Sequence, residues 1–481
     1  MLYIVDYVMH SGKDCDIGHN RYSKRGDRAM KINEKELLKW DADHLMHWVM
    51  PIGQNAGMIM DRAEGICFYD TQGREYLDGA SQLVCVTLGY KYNEEVAAAA
   101  AEQLRKLPYM HNFWGFTNTA SLACAQRLSK ITPKGLDHFC FTVGGSESNE
   151  IAFQYARKYW KNKGSKKDKI ISLYNSYHGV MYGSVTATGL ASGHFSDDFV
   201  PLVPGFIKAP SYYCYRCMLG LEYPECGIAC AKHVDKMIEL EGPDHIAALV
   251  VEPVHGTAGH MPPPPEYWPM LRAICSKHDV LLIADEVMAG FGRTGKAFGV
   301  DHWDVKPDMM TMAKGITSSY IPFGAVAMND MVYDGLKGSI FAGATFSSHV
   351  VGAAVSSKVL EIYERDKVFE NAAKMGQYAM GRLKGEFLEL PCVGEISGLG
   401  LMIGIEIVED KATKKGFDPN SKVMLDIQQK ALDKGLFIRV SDESWSSGNR
   451  ISFCPPLTVT QEEVDRIIDI LYPIVAGVKP R

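Results

Sequence analysis

Leu281-Leu282-Ile283-Ala284-Asp285-Glu286-Val287 is an apolar run that ends on an acid. A strand buried on both faces of a parallel sheet has this composition, and this one would deliver a carboxylate at its C-terminal end. Open α/β sheets bind their ligands outside the carboxyl ends of the strands. Lys314 follows 29 residues after Asp285, in Met312-Ala313-Lys314-Gly315-Ile316, among small and apolar neighbours. An amine placed there is desolvated, which lowers its pKa and makes it a good Schiff-base nucleophile. The interval leaves room for a helix or loop and one more strand. Each stretch also has a commonplace reading: an Asp at a strand end is often a helix cap or turn residue, and Lys-Gly is often a surface pair.

The neighbouring segments bear on that choice. Residues 247–251 form a second buried strand that ends in Glu252-Pro253, so Glu252 and Asp285 share one sheet edge. Two acids at strand ends on one edge point to a site rather than to solubility. Residues 139–143 are a short strand, followed by Gly144-Gly145-Ser146-Glu147-Ser148-Asn149-Glu150 and a helix. The start of that helix offers free backbone N–H groups and the positive end of its dipole, a natural phosphate site. Gly145 lets the backbone approach closely and Ser146 adds a hydroxyl. The same residues also suit a tight strand–helix turn with Ser or Glu as caps. Residues 169–173 are a strand that ends at Tyr177-His178-Gly179. An aromatic there can stack on a planar cofactor, or it can be part of a surface turn. A carboxylate for a pyridinium nitrogen and a lysine for an aldehyde are the two groups that pyridoxal phosphate requires.

The 481 residues exceed what one small core needs and suggest two to four domains. Apolar residues make up 46% and charged residues 22%, as in ordinary soluble proteins. A net charge of −6 gives no electrostatic case for nucleic acid or an anionic membrane. No apolar run approaches the roughly 20 residues of a membrane span. The first nine residues contain Asp6 and lack a basic leader. The expected location is the cytoplasm, where twelve cysteines are free thiols rather than a disulfide framework.

Along the rest of the chain, residues 1–30 are expected to form a peripheral tail and 31–40 a helix. Residues 66–70 and 74–78 read as a hairpin with a Gly73 turn. Residues 94–107 and 121–128 read as helices. Cys214-Tyr215-Arg216-Cys217 with Cys226 and Cys230 fits either a zinc knot or a loop of free thiols; the interval is short, no histidine pattern supports a metal, and no metal site is assigned. Residues 399–408 read as one glycine-broken strand. Ser421 is expected to cap a helix with Met424, Ile427, Ala431 and Leu432 on one face, closed by Gly435. Residues 436–440 and 450–453 read as strands, and Thr460-Gln461-Glu462-Glu463 as the capping box of a last helix.

The order of these motifs resembles the class III (ω-) aminotransferases, pyridoxal-phosphate enzymes of fold type I, over about residues 37–475. Its most specific parts are Ala284-Asp285-Glu286-Val287, Gly290-Phe291-Gly292-Arg293-Thr294-Gly295 and Lys314-Gly315 at the family's spacing. Gly145-Ser146-Glu147, Tyr177-His178-Gly179, Glu252-Pro253 and Pro455-Pro456-Leu457 agree in order and position. The resemblance implies a three-layer α/β domain over residues 80–345 with a mostly parallel sheet. A smaller α+β domain would come from residues 31–79 and 346–481.

The resemblance also implies roles. Lys314 would hold the cofactor and shuttle the reacting proton, and Asp285 would pair with the ring nitrogen. Tyr177 and Val287 would pack on the ring faces, with His178 beside them. Gly145 and Ser146 would hold the phosphate, completed by Thr345 from a partner subunit in an obligate homodimer, with a tetramer left open. Glu252 would sit near the phenolic oxygen, and Arg439 would bind a substrate carboxylate. The expected reaction is a ping-pong transfer from a terminal amine or ω-amino acid of the taurine, β-alanine or γ-aminobutyrate kind to pyruvate or 2-oxoglutarate. The rivals are an aminomutase or amino-acid epimerase on the same scaffold and a degenerate cofactor-binding protein; retention of Lys314, Asp285 and Glu252 speaks against the last. The sequence departs from the family at Gly144 and Ser148, both small, at Val350 in place of a proline, and in the cysteine-rich segment.

Overall fold

The computed structural model describes residues 33–48, 52–54, 57–190, 200–338, 340–444 and 446–480. The expected N-terminal tail lies outside them. Internal contacts divide the chain into two units, one reaching Asp61 and including Asp70–Gly73, the other made of Arg62–Tyr69 and Arg74 onward. In the first, the expected helix is present as Glu34–His44, with Glu34 and Glu36 in its first turn and no buried residue.

The second unit is built on a seven-stranded sheet. Its strands in chain order are β1 (His138–Thr142), β2 (Lys169–Leu173), β3 (Phe206–Ala209), β4 (Ile246–Val251), β5 (Leu281–Asp285), β6 (Met309–Met312) and β7 (Gly324–Met328). They lie side by side in the order β1-β7-β6-β5-β4-β2-β3. β3, β2, β4, β5 and β6 pair in parallel, and β7 runs antiparallel to both β6 and β1. Alternate residues of one strand feed two different cores, as strand geometry requires. Leu281 and Ile283 join Ile151, Ala152, Tyr155 and Tyr159 of the helix α1 (Gly145–Asn162). Leu282 and Ala284 join Trp268, Leu271 and Ile274 of the helix Tyr267–Lys277. A sheet between two helical layers explains why β4 and β5 are apolar at every position before their terminal acid.

The C-terminal half adds a four-stranded antiparallel sheet ordered Val393–Leu399, Met402–Ile407, Asn449–Phe453, Arg439–Ser441. Here the structure corrects three sequence expectations. The segment 399–408 is the second half of a hairpin, with Leu399 paired to Met402 around Gly400 at φ +54°, not one interrupted strand. The segment 436–440 is divided. Leu436–Phe437 pairs in parallel with Glu75–Asp78, the second strand of the expected hairpin, whereas Arg439–Ser441 belongs to the four-stranded sheet. The cap of the helix Val423–Asp433 is Lys422 at φ +57°, with no side-chain bond. Ser421 ends the preceding 3₁₀ turn and donates to the Asp418 carbonyl. The capping box of Gln461–Ala476 is present, with Thr460 Oγ1 accepting from Glu463 N at 3.2 Å and Glu463 returning the bond. Val350 occupies the first turn of Val350–Arg365, where an N–H has no helical partner in any case, so valine serves there as proline would. Among the described residues no helix is long and apolar enough to cross a membrane.

Candidate active site

Five strands of the large sheet release their chains at the same edge. β1 runs into Gly145 at the start of α1, and β2 runs into Tyr177 and His178. β4 runs into Glu252, β5 ends on Asp285, and β6 is followed by Lys314. A cavity of about 150 Å³ lies there, and Gly145, Ser146, Tyr177, His178, Glu252, Asp285, Val287 and Lys314 all line it. Residues spread over 170 positions of sequence therefore converge through the topology of one sheet edge.

Asp285 is 2% exposed, and its carboxylate is held from three sides. Oδ2 accepts from His178 Nδ1 at 2.7 Å and from Asn149 Nδ2 at 2.9 Å, and Oδ1 accepts from Val287 N at 3.0 Å. The Asp285 acceptor fixes the His178 tautomer with the proton on Nδ1. Asn149 is fixed in turn by Thr311, whose hydroxyl donates to its Oδ1 at 3.0 Å, and it also donates to the His178 carbonyl at 2.8 Å. These bonds fix the orientation of the carboxylate.

Lys314 stands at φ +46° in a one-turn 3₁₀ segment after β6. Burial pushes its pKa down to about 8; Arg439 nearby adds to the fall, and Cys85, Asp285 and Glu252 oppose it. A useful fraction of the amine is therefore neutral and nucleophilic near neutral pH. Glu252 receives the Tyr177 amide on Oε1 at 2.9 Å and the Gly256 amide on Oε2 at 2.9 Å.

The floor of the cavity explains its glycines. A Cβ on Gly145 would lie 2.7 Å from Val287 Cγ1, so only glycine lets the helix start approach that side chain. Gly179 has φ +131°, and a Cβ there would lie 2.4 Å from Ser146 Oγ. Ser146 Oγ accepts from Val180 N at 3.2 Å and retains its own proton to donate.

Two expected residues are not in this lining. Arg439 begins the strand Arg439–Ser441 and is near enough to Lys314 to depress its pKa. Its titratable neighbours are the Cys454 and Cys85 thiols and the Tyr177 phenol, and among the described residues no carboxylate pairs with it. Thr345 is exposed, and its carbonyl accepts from Tyr109 Oη at 2.6 Å. The Thr345 loop is tied back to α1 by Ser347, whose hydroxyl donates to Glu147 Oε1 at 2.6 Å.

The sequence reading did not single out Asn149, Thr257 or Met288, which also line the cavity. Asn149 lies one helical turn after Gly145, a spacing that puts both on the same face. Glu286 and Arg293, in the most specific motifs, prove to be scaffold. Buried Glu286 accepts from Gly299 N and Val300 N at 2.9 and 2.8 Å, and burial raises its pKa to about 8. Arg293 is fully buried and donates to the carbonyls of Leu401 and Pro455 and to Ser81 Oγ.

The donor set fits pyridoxal phosphate. A helix N-terminus with a serine hydroxyl suits a phosphate, an oriented carboxylate suits a ring nitrogen, and a desolvated lysine suits an aldehyde. Comparisons with known proteins agree. The family model of class III aminotransferases matches residues 50–475. The diaminobutyrate–2-oxoglutarate transaminase of Halomonas elongata is 37% identical over 424 residues, covering 86% of this chain and 89% of that one. The putrescine–pyruvate aminotransferase of Pseudomonas aeruginosa is 32% identical over 450 residues, covering 92% and 96%. Among solved structures, an (S)-enantioselective ω-transaminase from Thermomicrobium roseum superposes with a TM-score of 0.86 at 36% identity, covering 92% and 98%. The chain belongs to the class III aminotransferases, pyridoxal-phosphate-dependent transferases with the fold of these structures.

Proposed function

We propose that this aminotransferase takes the amino group of a terminal amine or ω-amino acid, of the taurine, β-alanine or γ-aminobutyrate kind, and passes it to pyruvate or 2-oxoglutarate in two half-reactions. The observation that carries the reading is the pairing of Lys314 and Asp285 at one sheet edge with a nearby Arg439, from the four-stranded sheet, that no described carboxylate neutralises. A guanidinium close to the reacting lysine suits a substrate carboxylate, and a donor whose acid group lies far from its amine leaves that cation free for the 2-oxo acid. Relatives named for diaminobutyrate, putrescine and γ-aminobutyrate support an amine of this kind, although another is named for adenosylmethionine and 8-amino-7-oxononanoate.

The cofactor, when bound, supplies the electron sink; the residues do the rest. Asp285, steadied by His178 and Asn149, would hold the ring nitrogen protonated. Lys314 Nζ would be the amine that holds the cofactor's aldehyde and the base that carries the proton of the reacting carbon. Gly145, Ser146 and the α1 amides would anchor the phosphate, Tyr177 and Val287 would confine the ring, and Glu252 would serve its phenolic oxygen.

We assign Thr345 to the phosphate site of a second copy, which makes the working unit a homodimer. Support comes from the aromatic surface around it: Phe346 is 62% and Trp114 84% exposed, an unusual display for a surface that faces only water.

Incubating the purified protein with each donor and each 2-oxo acid tests the reading. Formation of alanine or glutamate is expected only when both substrates are present. Rearrangement or racemisation of a single amino acid with no 2-oxo acid would favour the mutase or epimerase instead.

A further inference from the structure

Four of the cysteines are gathered around one small cavity. Cys214, Cys217, Cys226 and Cys230 line a partly open space of about 20 Å³, together with Tyr212, Leu221 and Ile228. Cys214, Cys217 and Cys226 lie on the connection between β3 and the helix α2 (Ala229–Glu241), and Cys230 lies in that helix. All four are free thiols. Turns present the two pairs. Gly220 N donates to the Cys217 carbonyl at 3.0 Å, and Cys226 N donates to the Glu222 carbonyl at 2.8 Å. Cys230 sits in the first turn of α2, whose cap, Ile228, offers no side-chain acceptor, and its sulfur faces the backbone amides of Cys230 and Ala231. Nothing in the transamination described above uses these thiols.

We propose that Cys214, Cys217, Cys226 and Cys230 hold one thiophilic divalent cation, zinc by preference, in the cavity they line. Paired cysteines on turns and four sulfurs around one space match a structural tetrathiolate site. The amides at Cys230 are the hydrogen bonds that a metal-bound sulfur takes from its surroundings. No three of the sulfurs lie mutually within 4.8 Å, and zinc–sulfur bonds of about 2.3 Å therefore draw the side chains inward over the cavity. The step balances simply: four S–H bonds release four protons to solvent, four metal–sulfur bonds form, and nothing is oxidised.

The site backs the cofactor cavity. Tyr212, on the same segment, donates from its hydroxyl to the Glu252 carbonyl at 2.9 Å and stacks on His255 at 3.9 Å between ring centres. His255 Nδ1 lies 3.5 Å from Glu252 Oε1. A metal clip at 214–230 would thus brace the wall that carries Glu252.

The test uses the holoenzyme purified without added metal. Elemental analysis should find one zinc per chain. After chelation under reducing, anaerobic conditions, titration with cobalt(II) alone should give the red-region bands of a tetrahedral thiolate complex, well clear of the cofactor's absorbance, with a one-to-one end point. The double variant C217S/C230S and the variant with all four cysteines changed to serine should lose zinc and the cobalt bands. Wild-type protein that takes up neither metal would overturn the proposal, as would cobalt bands that persist in the four-serine variant. So would recovery of the four cysteines as disulfides in protein that binds no metal after reduction. Because the wild-type titration needs no variant, a failure of a variant to fold leaves it standing as a test.

Discussion

Replacing His178 by phenylalanine removes the shorter of the two side-chain bonds to Asp285 Oδ2, 2.7 Å long, while keeping a ring of similar size in a buried position. A hydrogen bond to an ionised partner contributes about 1.5–3 kcal/mol. Asp285 keeps Asn149 and the Val287 amide, so the carboxylate is not stranded, but its orientation loosens. If Asp285 grips the ring nitrogen, the loss falls on the cofactor, and pyridoxal phosphate should bind roughly 10- to 150-fold more weakly to H178F apoenzyme. Equilibrium dialysis of the cofactor against apoenzyme measures this directly, with circular dichroism to establish that the variant is folded. Asn149→Ala should act in the same direction. Because Asn149 is itself held by Thr311, T311V should give a smaller loss through the same chain. Folded H178F that binds the cofactor within twofold of wild type would refute the claim that this bond orients Asp285 for the ring.

Lys314 governs the pH dependence of cofactor capture. With a pKa of about 8, the neutral amine at pH 7.5 is roughly 200-fold more abundant than for an ordinary lysine. Stopped-flow mixing of apoenzyme with pyridoxal phosphate should give a rate that rises through about pH 8 and then levels; continued rise to pH 10 would contradict the depressed pKa. Its folded pKa lies below the unfolded 10.5, so the apoenzyme should gain stability as pH climbs from about 8 towards 10.5, and K314M should remove that gain in thermal unfolding. Arg439→Ala should leave reaction with simple amines intact and impair use of the 2-oxo acid in single-turnover kinetics; equal survival of both half-reactions would misassign Arg439. Gly145→Ala places a Cβ 2.7 Å from Val287, which should cost about 1–3 kcal/mol by overpacking and weaken cofactor binding, and V287A should restore part of the loss in the double variant.

Much of this site could be read from sequence because a parallel sheet writes its geometry in simple patterns. β4 and β5 are apolar throughout and stop at Glu252 and Asp285, so both the strands and the edge they share were legible. Gly145 could be read as a place of close backbone approach, although only the structure names Val287 as what it approaches. The C-terminal half resisted for physical reasons. Residues 436–440 carry one β-like pattern, yet the chain changes sheets at Ile438, and local propensity holds no record of which neighbour a strand pairs with. Ser421 has the composition of a cap, but the backbone turns through Lys422 in the left-handed region, which a sequence does not advertise at a lysine. Asn149 escaped notice because its importance lies in contacts with His178, Asp285 and Thr311, three residues from three other strand ends.

The most direct test of the central claim is the visible spectrum of the holoenzyme as candidate donors are added with no 2-oxo acid present. Lys314-bound cofactor gives a yellow band. That band should bleach with at least one of taurine, β-alanine or γ-aminobutyrate and return when pyruvate or 2-oxoglutarate is added, which names both substrates. A band indifferent to every terminal amine would contradict the proposed donor class, and the absence of any band after pyridoxal phosphate is supplied would contradict the role given to Lys314.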